Sequence, residues 1–439
     1  MKLRPFELTL VVAFGIMAMV ALFIVNSYEA GPSSGVDGQI AFSGSVEIWG
    51  TLPADVINGV LRDLTEDIDE YRNVSYKYYS PSNFNDKLLR ALADGEGPDL
   101  LLISQEKLVE MRPRIQPFSY EAFPIPDIRN LYLDGAQIFA LSDGLYGYPI
   151  AVDPMMMYWN RNILTNQGYL EPPRTWEVLV NTMFPDLIQR NFDRTITLSV
   201  VAMGGYKNIR NAFGIISSLF IQRGSQRVGD VAGNQNKYTI KLQSTENAEG
   251  DPLKAAADFY TRFSRPSNAL YSWNHALDED RQQFVSGDLV MYFGYGSEGP
   301  QIELLNPNLN FDIAEIPQGA NSNIRRTYGK FYALTMLKAS DNKSAASVVM
   351  LNLSGEVLSS RIAVESNMVP VRRSIVSQGS NTIYGRATYQ SAQVALGWLN
   401  PELAATDKIF ETLVNDINEN RRPLNEAVND VSLRLREEY

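Results

Sequence analysis

The chain has 439 residues and a formal net charge of −11, which is room for two or three folding units, each with its own core. Hydrophobic residues make up 45% and charged residues 20%, as in a folded globular body, and so acidic a surface without a basic patch argues against a nucleic-acid partner. There is no cysteine and a single histidine, His275, which excludes disulfides, thiolate or multi-histidine metal sites, cysteine nucleophiles and a lipid-modified cysteine, and removes most Ser-His-Asp triads.

Residues 8–25 are apolar apart from Thr9, and as a helix they reach about 27 Å, close to the width of a bilayer core. Lys2 and Arg4 precede this run while Glu29 and Asp37 follow it, so the positive-inside rule leaves the N-terminus in the cytoplasm and the main body outside. Residues 1–30 are therefore expected to be a single-pass membrane anchor. Cleavage as a signal segment, with release of the body, is the alternative, although Tyr28-Glu29-Ala30 is a poor cleavage site. Residues 31–44, rich in Gly, Ser and Pro, read as a linker.

Beyond the linker, strand-like segments at 45–49, 74–79 and 98–103 alternate with helical patterns after Pro53 and at 85–93. This βαβαβ order predicts an open α/β sheet, with ligands expected at the carboxyl ends of its strands, in the loops that begin at Trp49, Ser80 and Ser104. Further helices are predicted at 176–187, 211–223, 252–263, 344–353 and 407–418. Thr175 is placed to cap the helix that starts at Trp176. The run Met155-Met156-Met157 reads as core and Asp99 as structural.

The stretch from residue 142, SDGLYGYPIAVDPMMMYWNRNILTNQGYLEPPRTWEVL, resembles the most recognisable segment of the family 1 extracellular solute-binding proteins, the maltose-binding-protein-like group. Gly95-Glu96-Gly97-Pro98-Asp99, the segment 284–291 and the segment 417–428 extend the resemblance from about residue 45 to the C-terminus. It implies a two-lobed periplasmic-binding-protein-like α/β fold of type II with a hinge between the lobes. The first lobe is expected at 45–152 with 332–370 returning to it, and the second at 153–331 completed by 371–439. The implied function is capture of a small solute, a mono- or oligosaccharide, by hinge closure, and its delivery to the permease subunits of an ABC importer. A polyamine, ferric ion or peptide ligand, a ligand-sensing role, and a glycan-active hydrolase are the rival readings. No acid/base pair stands out for the last of these, so no catalytic, cofactor or metal residue is expected.

Sugars offer flat apolar faces rimmed by hydroxyls, which aromatic rings and a few fixed polar groups can grip. Eight residues are candidate contacts, on that basis and on the cleft positions that the resemblance implies for Trp49, Asp153, Trp273, Phe331 and Arg372. Trp49 ends the first strand, and Asp153 follows a strand expected to cross between lobes. Tyr158 lies further along the same strand, Trp273 precedes an acidic helix, and Tyr295 lies in a small-residue loop at 294–298. Phe331 is in a second crossing strand, where Gly329 would be a hinge. Arg372 lies in Pro370-Val371-Arg372-Arg373, and Trp398 is a late aromatic. Packing in the core is the competing reading for Trp49 and Trp398, and a solvated surface charge for Arg372.

Overall fold

The computed structural model describes residues 42–193, 195–224, 230–232, 237–239, 251–382 and 384–439. The expected anchor at 8–25 and nearly all of the linker lie outside the described residues. No helix among the described residues is long and apolar enough to cross a membrane.

Three parallel strands open the fold, with Val46–Gly50 flanked by Val74–Tyr78 and Leu100–Ser104. Successive side chains leave a strand on opposite faces. Ile48, Leu100 and Leu102 therefore meet one helix, Ala54–Asp67, through Val56, Val60, Leu61 and Leu64. Trp49, Leu101 and Ile103 meet the other, Phe84–Asp94, through Phe84 and Leu88. That second helix ends at Gly95, whose φ of +75° closes the last turn in the left-handed region that favours glycine.

Strand Tyr148–Asn160 ties the two halves of the molecule together. From Tyr148 to Pro154 it pairs with strand Thr327–Met336, and from Met155 to Asn160 it lies between strands Leu289–Tyr295 and Phe311–Glu315. Thr327–Met336 also crosses, since Tyr332 to Met336 pair with Leu100–Ser104 while Tyr328 is buried in the other half with Tyr158, Phe213 and Tyr292. At Gly329, a Cβ would lie 3.0 Å from the Ala395 Cβ and 3.1 Å from Val152 Cγ2. A side chain here would press the Ala395 and Val152 side chains apart by a few tenths of an ångström.

The second core gathers strands Ile196–Val201 and Leu289–Tyr295 under helices Ala212–Gln222, Pro252–Thr261, Leu403–Asn418 and Leu424–Glu438. Met155, Met156 and Met157 are buried in it. The predicted helix at 176–187 is one helical run, capped by Thr175 Oγ1, which accepts from the Val178 N–H at 3.2 Å. Its middle, Leu179–Met183, is wound as a π-helix just ahead of Pro185, which has no N–H to continue the regular ladder. The predicted helix at 407–418 begins earlier, at Leu403, because the Glu402 carboxylate accepts from the N–H groups of Ala404 and Ala405.

Residues beyond 371 pack with the first core for longer than the expected boundary. Val371, Val376, Tyr389, Ala392 and Ala395 share the apolar cluster of Trp49 and Leu101, and Trp398 is the first buried aromatic after them to join the second core. Pairing of Val369–Pro370 with Val152 and Ala151 explains this, since it fixes the segment on the first-lobe half of the crossing strand.

Candidate functional site

A buried polar region lies where the two crossing strands pass between the cores. Ser104 ends the third parallel strand, and Gln105, Glu106 and Lys107 turn immediately after it, all three buried. Gln105 extends the sheet with its side chain: its Oε1 accepts from the Phe331 N–H at 2.6 Å, and its Nε2 donates to the Gly329 carbonyl at 3.2 Å. Glu106 then faces the strand from the first lobe. Its Oε1 accepts from the Tyr328 hydroxyl at 2.7 Å, and its Oε2 lies 3.8 Å from Lys330 Nζ. The same ammonium stands 4.3 Å from the centre of the Tyr295 ring, which belongs to the second lobe.

Asp153 sits opposite Lys330 in the strand register. Its oxygens accept from the Ser297 N–H at 3.0 Å and the Ser297 hydroxyl at 2.6 Å. Burial pushes the Asp153 carboxyl up to about 7, with the Ser297 hydrogen bonds and Lys330 opposing that rise and Glu298 adding to it. Glu298 is held by Asn211 Nδ2 at 2.8 Å, the Tyr292 hydroxyl at 2.6 Å and the Tyr295 N–H at 2.9 Å. Burial raises the phenols of Tyr295, Tyr328 and Tyr332 well above their ordinary range, so they stay neutral donors at any physiological pH. Carboxylates, a lysine and neutral phenols converging from both lobes form a set that can grip hydroxyl groups.

Of the eight sequence candidates, the structure brings Asp153 and Tyr295 together here. Tyr295 is the last residue of its strand rather than part of a loop, because Gly294 and Tyr295 continue pairing with Met156 and Met155; the turn begins at Gly296. Trp49 is the penultimate residue of the first strand, which runs on to Gly50, and lies against Tyr79, with ring centres 4.7 Å apart and Lys77 Nζ 5.8 Å away. It is 5% exposed, and its indole N–H has no hydrogen-bond partner.

The side chains of the other five are packed into the lobes, Tyr158 and Phe331 at the border of the joint. Tyr158 is wholly buried among Phe284, Tyr292 and Phe311, its hydroxyl donating to the Tyr295 carbonyl at 2.6 Å. Trp273 is wholly buried, its N–H donating to Asn208 Oδ1 at 3.2 Å. Trp398 packs among Phe213, Phe220 and Phe410 and donates to Ser217 Oγ at 3.3 Å. Phe331 is buried in the first-lobe cluster, where it fills the space beside Gly135. Arg372 is half-buried in the first lobe, over the Tyr132 ring, and donates to the Ser354 carbonyl at 2.8 Å. Bulky aromatic rings gain more from burial than from a solvated site, and these four found room in a core.

Sequence reasoning named the loop after Ser104 but not Gln105 or Glu106 within it, and it named neither Lys330 nor Tyr328 as contacts. The polar pair directly after a fully apolar strand was the available signal. Among the described residues, no group of three or more acidic or histidine side chains is placed to hold a metal ion.

The profile of the bacterial extracellular solute-binding proteins matches residues 52–356. The chain belongs to this family. Binding proteins of Brucella abortus and Brucella suis are each 22% identical to it over 270 residues, 59% of this chain and 59% of theirs. The chain thus matches only somewhat over half the length of those curated relatives. Among solved structures, a cyclo/maltodextrin-binding protein complexed with maltotetraose superposes with a TM-score of 0.69 at 14% identity, covering 91% of this chain and 98% of that one. The sugar-binding protein MalE of Xanthomonas citri gives 0.68 at 18% identity over 90% and 97%. The Thermus thermophilus maltotriose-binding protein, bound with maltotriose, gives 0.63 at 15% identity over 90% and 99%. These likenesses establish the two-lobed α/β fold of the periplasmic binding proteins for this solute-binding chain.

Proposed function

We propose that this solute-binding protein captures a carbohydrate between its lobes and hands it to the permease subunits of an ABC importer. The observation that carries this reading is the convergence of Glu106 from the first lobe with Asp153, Ser297 and Tyr295 from the second side of the joint. Buried carboxylates bind sugar hydroxyls by charge-assisted hydrogen bonds, and phenol rings cover the apolar sugar face. Structural neighbours solved with maltotetraose, maltotriose and α-D-tagatose support the ligand class.

The lobes divide at the crossing strands, with 45–152 and 332–370 in the first and 153–331 in the second, and with the residues after 371 shared between them. Ligand contacts are assigned to Asp153 and Tyr295, joined by Glu106, and to Trp49 with Tyr79 as an aromatic surface at the strand ends. Closure follows because a solute touching Glu106 and Tyr295 at once gains contacts that the open form lacks. Residues 8–25 hold the body at the outer face of the membrane in this reading. Calorimetric titration of the full-length chain with maltotriose, maltotetraose and tagatose tests the assignment. Saturable heat with one of them is expected; silence with all three, and with a wider sugar panel, overturns the carbohydrate reading.

A further inference from the structure

Lys330 holds an unusual position in the joint between the lobes. Its ammonium lies 3.8 Å from the Glu106 carboxylate and 4.3 Å from the centre of the Tyr295 ring, and its strand partner in register is Asp153. An acidic group on one side, an aromatic face on the other and a second carboxyl alongside are what a small organic cation needs from a receptor. Glu106 is 4% exposed and Tyr295 7%, while the Lys330 side chain keeps 28% of its surface exposed, so water screens the attraction only in part. The chain itself supplies the cation. It does so from a strand that both lobes share, so the lysine is present however the lobes move.

We propose that Lys330 is the specificity residue of the site: by filling a cation-accepting box made of Glu106, Asp153 and Tyr295, it excludes amine solutes and leaves the joint selective for uncharged, hydroxyl-rich ones. This rests on the joint being the solute site. An incoming alkylammonium group meets a box already occupied and repulsion from the lysine itself. A neutral polyol meets carboxylate acceptors whose charge is balanced, so it binds without moving an ion. Removing the ammonium leaves the Glu106 carboxylate buried with the Tyr328 hydroxyl but without its ion-pair partner, and vacates the space a small amine would occupy. Aliphatic amines are then accepted.

The test compares the full-length wild-type chain with Lys330→Ala, Lys330→Arg and the double variant Lys330→Ala/Glu106→Ala. Each is titrated with 1,4-diaminobutane and n-butylamine, and in parallel with maltotriose and the other neutral sugars. Lys330→Ala is expected to bind the amines at least about tenfold more tightly than wild type, with no gain in Lys330→Arg and the gain lost in the double variant. If Lys330→Ala loses its cooperative melt, Lys330→Gln replaces it under the same criterion. Absence of any amine gain in a folded variant lacking the ammonium overturns the proposal, as does an equal gain in the double variant. Wild-type sugar binding without an amine gain in the variant refutes the role of Lys330 alone. An amine gain without wild-type sugar binding refutes the carbohydrate reading and leaves the box standing.

Discussion

The second-lobe core around Trp398 and the joint around Glu106 are both almost fully buried, yet they are built on opposite principles. Around Trp398, three phenylalanine rings lie within 6.3 Å of the indole, and its one polar atom is satisfied by Ser217. At the joint, a carboxylate, an ammonium and a second carboxyl are packed with phenols, each contact directed and few of them apolar. Burial of apolar rings contributes stability without regard to direction, whereas buried ions contribute little net stability and much geometric selectivity. The contrast explains why equally buried aromatics differ in role: Trp398 supports the lobe, and Tyr295 faces across the joint.

The largest way to break this contrast is Trp398→Ala. It should cost about 3–5 kcal/mol by loss of burial and by the cavity left behind, read as a lower denaturant midpoint, with solute affinity unchanged in the population that remains folded. A large affinity loss at unchanged stability would put Trp398 in the site after all.

A pH series addresses the buried carboxyls. Burial raises Asp153 and Asp280, each to about 7, against an ordinary value of 3.8. The folded chain therefore holds these protons more tightly than the unfolded chain. The stability they contribute is complete below about pH 4 and is lost as pH rises through about 7. Melting temperature should fall between pH 5 and 7, with on the order of 2 kcal/mol of stability lost per group, and the fall should shrink in Asp153→Asn. A profile that rises over this window would contradict the burial argument.

Glu106→Gln sharpens the comparison from the other side. The amide keeps the shape but removes the charge facing Lys330, so stability should drop by about 1–3 kcal/mol. Sugar affinity should fall by at least about tenfold, the loss of one charge-assisted hydrogen bond. Unchanged affinity would detach Glu106 from the site. The smallest effect is expected at Thr175→Ala, which removes a helix cap in the second lobe and should cost about 1 kcal/mol. Differential scanning calorimetry would detect it, and titration should show no change in binding.

Local pattern carried much of the fold. The alternation of apolar strand and amphipathic helix from residue 45 to 104 foretold three strands whose observed bounds differ by no more than two residues, and the helix at 176–187 was legible from its Thr175 cap and periodic apolar face. The candidate site was legible only in part. Asp153 and Tyr295 stood beside strand ends that the sequence marks, but Trp273, Trp398, Tyr158 and Phe331 were indistinguishable from them as residue types. Whether an aromatic ring lines a binding surface or fills a core depends on which neighbours the fold brings, and neighbours distant in sequence leave no periodic trace.

By itself, the sequence determined an acidic, cysteine-free chain with an α/β alternation, a segment at 8–25 apolar enough to span a bilayer, and the ordered motifs of a solute-binding family. These properties depend on composition and on spacings of a few residues, which the chain states directly. Only the tertiary structure decided that Glu106 meets Tyr328, 222 residues away, and that Lys330 stands between Glu106 and Tyr295. These contacts arise because strand Thr327–Met336 brings Tyr328 and Lys330 against the turn that follows Ser104 and the strand that ends at Tyr295. That strand is flanked by apolar clusters of both lobes, whose members lie far apart in the sequence.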